Sequence, residues 1–93
     1  MNAISRTVVN IKPGKQSEVV AFIEKKANEI SSISGLMNWG LIYTGQDELT
    51  VVAAYEDMAS AEKATAFVNQ ATSEVVPLVV EPPVRKIFDA QWH

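Results

Sequence analysis

A strand with no plainly wet face constrains this chain more than any other feature. Residues 3–11, AISRTVVNI, are rich in β-branched types and contain neither Gly nor Pro, which predicts a strand. Side chains alternate across a strand, so Ser5, Thr7, Val9 and Ile11 share one face and Ile4, Arg6, Val8 and Asn10 the other. Neither set is strongly charged, so both faces need cover. Pro13-Gly14 ends the strand, because Pro cannot donate to a ladder and Gly permits a sharp reversal. A helix follows from about Gln16 to Ser32. Its Val19, Phe22, Ile23, Ala27, Ile30 and Ile33 recur at three- and four-residue spacing, with Glu24, Lys25, Lys26, Asn28 and Glu29 opposite. Gly35 is a natural helix stop, since it takes a left-handed conformation without a Cβ penalty. This helix can cover one face of the strand, and something else must cover the other.

The remaining chain repeats the plan more loosely. LMNWGLIYT (36–44) and ELTVVAAY (48–55) read as strands joined by Gly45-Gln46-Asp47, a short polar link suited to a hairpin. Asp57 or Ser60 can cap a second helix from about Met58 to Ser73. Its inner stripe is Ala61, Ala64, Phe67, Val68, Ala71 and Val75, so it either lies close to the sheet or leaves a hollow beneath it. Pro77, Pro82 and Pro83 break the next segment. VRKIFDAQW (84–92) then predicts a last strand whose alternation suits a sheet edge. The order is βαββαβ, an α+β ferredoxin-like plan with two helices on one face of a four-stranded antiparallel sheet.

Composition narrows the function classes. Ninety-three residues with 47% hydrophobic content make one domain, 1–93. A chain of this size buries only about 60–65% of its unfolded surface, and without cysteine no disulfide or thiolate metal site reinforces the core. Association with a second copy is the remaining source of buried area. Eight basic and eleven acidic residues give a net charge of −3 with no basic stripe, which argues against nucleic acid as a partner. The start, MNAISRTVV, lacks the layout of a secretory leader. The longest uncharged apolar stretch, Val75 to Val80, is far below the ~20 residues of a membrane helix. The expectation is a cytoplasmic protein that does not engage a membrane. No CxxC, phosphate-cradling glycine loop or Ser/His/Asp set is present, so neither a metal nor a cofactor is expected.

KPGK after the first strand, ISGL before the second and VAAYED entering the second helix resemble the dimeric α/β-barrel superfamily. Within it, the chain looks most like the antibiotic-biosynthesis-monooxygenase-like (ABM) domains, over roughly residues 4–90. The resemblance implies a homodimer whose two sheets face each other and close a barrel, and a ligand pocket between each sheet and its second helix. Chemistries in that superfamily include cofactor-independent oxidation of aromatics and oxidative haem degradation. Haem-degrading relatives use an Asn on the first strand, which falls near Thr7 here, and a Trp and a His on the second helix. MASAEKATAFVNQATSEVV holds neither, and the only histidine is the final His93.

The expected function is therefore binding of a small apolar or aromatic metabolite, with cofactor-independent monooxygenation as the chemistry. The alternative is a non-catalytic homodimeric ligand-binding or structural module. Trp39, Tyr43 and Tyr55 are candidate walls of an aromatic pocket, or else core and dimer-seam residues. Phe67 joins them from the inner stripe of the second helix. Arg6 and Asn10 share a strand face and are candidates for recognising an anionic or carbonyl group, or else for an intersubunit hydrogen-bond set. A lined cavity of a few hundred Å³ beneath the alanine-rich helix would mark a ligand site.

Overall fold

The computed structural model describes residues 1–93. Strand β1 (Asn2–Asn10) lies between β3 (Glu48–Tyr55) and β4 (Val84–Ala90), antiparallel to both. Strand β2 (Leu36–Gly45) pairs with β3 and completes the order β2-β3-β1-β4. Strands β3 and β1 thus take the centre, and the alternating β4 is an edge, as its pattern suggested. The last strand stops at Ala90, so Gln91 and Trp92 lie beyond it. Pairing of Ser5 with Ala53 and Ile87, and of Thr7 with Val51 and Arg85, puts all six on the helix-covered face.

Both expected helices form, each in two pieces. The first is α1 (Gln16–Lys25) and α2 (Ala27–Ser31), the second α3 (Met58–Lys63) and α4 (Thr65–Glu74). At the first break the Lys26 N–H reaches both the Phe22 carbonyl at 3.2 Å and the Ile23 carbonyl at 3.0 Å, a local tightening toward 3-10 geometry. At the second, Arg85 reaches up from β4 and donates to the Ala61 carbonyl at 2.9 Å and to Thr65 Oγ1 at 2.8 Å. An unbroken helix keeps that carbonyl for the Thr65 N–H. Sequence periodicity is blind to such a tertiary partner, and each pair of segments reads as one helix. Asp57 caps α3: the Ser60 N–H donates to its carboxylate at 2.8 Å, which holds the Asp57 carboxyl below its usual 3.8.

The core gathers at two ends of the covered face. Val9, Ile11, Val19, Leu49, Val75 and Val79 form one cluster, and Ala3, Ala53, Tyr55, Ala61 and Ala64 the other. Only 14 of 93 residues are buried, so this single layer of helix leaves much apolar surface unspent. Part of that surface is the opposite face of the sheet. Ile4 and Val8, Val52 and Ala54, Ile42, and Val84 and Phe88 stand there together by register. Phe88 is 43% exposed and Ile42 46%.

The helix stop is held by contact as well as by conformation. Gly35 has φ +81, its carbonyl accepts the Glu56 N–H at 2.8 Å, and a Cβ there would run into the Ser60 side chain. Gly35→Ala is expected to cost roughly 1–3 kcal/mol in urea denaturation. Adding Ser60→Ala should recover only part of it, because the left-handed backbone remains. An unchanged midpoint for Gly35→Ala would contradict this packing.

Candidate functional site

Between the two core clusters the layers do not close. A cavity of about 100 Å³ lies between the covered face of the sheet and segments α1, α2 and α4. Its floor is made of small side chains at the centre of the sheet: Ser5 and Thr7 on β1, Val51 and Ala53 on β3. Phe22, Ile23, Ile30, Phe67 and Val68 stand around it, and Ala71 leaves the roof thin. The hollow follows from side-chain size, because short residues on floor and roof face each other where longer ones would have met. Fourteen of its twenty lining residues are hydrophobic, which makes it an apolar site with a few polar groups rather than a water channel.

Those polar groups are placed with some care. The Trp39 indole N–H donates to Ser31 Oγ at 3.1 Å, tying the ring to α2 while it lines the cavity. Tyr55 is almost wholly buried, and its hydroxyl lies 3.5 Å from Arg85 Nη2, at the long limit for a hydrogen bond. Arg85 lines the cavity and holds its guanidinium against Ala61 and Thr65, while its buried Nε–H has no partner. Lys26 also lines the cavity; it pairs with Glu74 at 3.2 Å and sits 5.7 Å above the Phe22 ring. No carboxylate and no histidine is among the lining residues, and no group of three His, Cys, Asp or Glu side chains gathers anywhere in the chain.

Of the six residues singled out from the sequence, Trp39, Tyr55 and Phe67 line this cavity and Arg6, Asn10 and Tyr43 do not. Alternation is the reason for Arg6 and Asn10, which project from the other face of β1. There Arg6 lies 5.4 Å over the Phe88 ring, and Asn10 Nδ2 donates to Glu81 at 2.8 Å. Tyr43 is 62% exposed where the β2–β3 register shifts, between Ile42 and Gly45. Sequence reasoning missed Arg85, Lys26, Ser5 and Thr7 as site residues. A signal for Arg85 existed: it alternates with Ile87 onto the face that the helices must cover, where an unpaired cation is out of place. The cavity is also smaller than the few hundred Å³ expected of a metabolite site. Its volume approaches the roughly 150 Å³ of engineered cavities that accept benzene, so its scale is one ring.

No family model matches the chain, and no curated protein matches it in sequence. Solved structures match it closely in shape. A conserved Methanosarcina mazei Go1 protein superposes with a TM-score of 0.83 at 13% identity, over 98% of this chain and 94% of its own. A variant of SnoaB, a cofactor-independent oxygenase from Streptomyces nogalater, gives 0.79 at 11% identity, over 99% and 95%. A proposed antibiotic biosynthesis monooxygenase from Caulobacter crescentus CB15 gives 0.79 at 18% identity, over 98% and 91%. At these identities the likeness establishes the fold, and the fold is ABM-like.

Because the hollow leaves room above the sheet, filling it is expected to be tolerated. Ala71→Leu is expected to change stability by less than ~1 kcal/mol, where the same enlargement in a close-packed core costs ~1–3 kcal/mol. Toluene should raise the melting temperature of the wild-type chain and leave that of Ala71→Leu unmoved. Equal shifts for both would place toluene elsewhere.

Proposed function

Given an ABM-like fold, we propose that the chain binds a small apolar or aromatic metabolite in this cavity and oxidises it with dioxygen, without a cofactor. The observation that carries the reading is the cavity itself: an apolar hollow walled by Trp39, Tyr55 and Phe67, with hydroxyl and guanidinium donors on one side. A cofactor-free monooxygenation draws its electrons from the substrate. An activated ring CH₂ loses a proton, the carbanion adds dioxygen, and the hydroperoxide loses water to leave C=O. The protein's part is to hold the ring and to place donors near the anion that forms. Tyr55, Arg85 and Lys26 are donors in the lining suited to that.

We further propose that the working form is a homodimer, with a second copy laid on the open face of the sheet. Four strands about 4.8 Å apart and seven to ten residues long present a face of roughly 500 Å². Its apolar side chains, among them Ile4, Val8, Val52 and Phe88, stand beside Arg6, Asn10 and Lys86, a mixed surface of the kind that marks an interaction site.

A second reading, a non-catalytic binding module, is favoured by one specific observation. No carboxylate or histidine lines the cavity, so no side chain there is suited to take a substrate proton near neutral pH. Oxygen uptake separates the two. With anthrones, whose ring CH₂ meets the step above and whose outer rings would protrude from the cavity, uptake above the protein-free rate is expected, and is expected to fall in Ala71→Leu. Ring binding without any uptake on the panel would leave the binding module as the function.

A further inference from the structure

The charges lining the cavity are of one sign. Lys26 and Arg85 are its only ionisable lining groups apart from Tyr55. Lys26 has a carboxylate partner in Glu74. Arg85 has none, since the only two ion pairs in the chain are Lys15–Glu18 and Lys26–Glu74. All three acceptors of Arg85 are neutral: the Thr65 hydroxyl, the Ala61 carbonyl and, at the long limit, the Tyr55 hydroxyl. A guanidinium carries five N–H donors, so three donated bonds leave two unspent, one of them the buried Nε–H. A half-buried cation held only by neutral groups is poorly compensated, because burial removes water without supplying a counter-charge.

We propose that the missing counter-charge comes with the ligand, and that the cavity takes a small apolar acid. Such a ligand has one ring or a short branched chain in the hollow and a carboxylate on Arg85. This rests on the cavity being a ligand site, as argued above, and it names the class of ligand. Size and charge select together: about 100 Å³ suits a body no larger than one ring, and Arg85 has an Nη1–H to spare for a carboxylate, with an Nη2–H beside it once the long contact to Tyr55 yields. Arg85 also ties Ala61 and Thr65 at the break between α3 and α4, so the guanidinium is fixed in place before the acid arrives.

The test compares benzoate with benzyl alcohol and toluene, which share the ring and lack the charge. Binding to the full chain is followed through the amide shifts of Ser5, Trp39 and Phe67. Benzoate is expected to bind roughly 10- to 100-fold more tightly than benzyl alcohol, the range of a charge-assisted hydrogen bond. Arg85→Met should erase that preference while keeping benzyl alcohol affinity within about twofold, and Lys26→Met should preserve it. Benzyl alcohol binding as well as benzoate in the wild-type chain would overturn the proposal, as would a preference that survives Arg85→Met. If none of the three ring compounds binds, the cavity reading fails and this inference with it. The wild-type comparison decides even where Arg85→Met does not fold.

Discussion

Everything in this structure follows from a central strand that sends apolar side chains to both faces while the chain has helices for only one. Val9 and Ile11 sink into the helix-covered core, while Ile4 and Val8 leave the same strand in the opposite direction. Neighbouring strands obey the same register, so Val52, Ala54, Val84 and Phe88 extend that second face across the sheet. Burial of apolar surface is the main favourable term in folding, at about 25 cal/mol per Å². Leaving this face in water forgoes much of what a 93-residue chain can gain.

The covered face shows the other side of that economy. Its centre is floored by Ser5, Thr7 and Ala53, too small to meet the helices above, so the core condenses at the two ends and stays open between them. The same region carries the helix break at Lys26, which lines the cavity, and Arg85, a half-buried cation with no carboxylate partner. Looseness of packing, interruption of the roof and unpaired charge coincide in one place. A chain shaped only for stability would have little reason to keep all three together.

Most of the fold was legible because its signals are local. Pro13-Gly14, Gly35 and the hairpin after β2 are punctuation that backbone chemistry enforces, and β3 spans the ELTVVAAY stretch that the sequence marks as a strand. The breaks at Lys26 and Ala64 were not legible, since the partner that holds the second is Arg85, distant in sequence. The site was half legible for a related reason. Aromatic type singled out Trp39, Tyr55 and Phe67, which line the cavity, but type says nothing about which way a strand residue points. Arg6 looked like the anion-binding cation and stands over Phe88 on the open face, while Arg85, one strand over and in the other phase of alternation, faces the cavity.

The central claim is that the open sheet face is closed by a second copy of this chain. Sedimentation equilibrium at micromolar concentration tests it most directly, using the wild-type chain and Phe88→Asp, which replaces an exposed ring of that face with a carboxylate. The account predicts a species of twice the 10.2 kDa chain mass for the wild type and a shift to 10.2 kDa for Phe88→Asp. A wild-type protein that stays at 10.2 kDa up to hundreds of micromolar would contradict it.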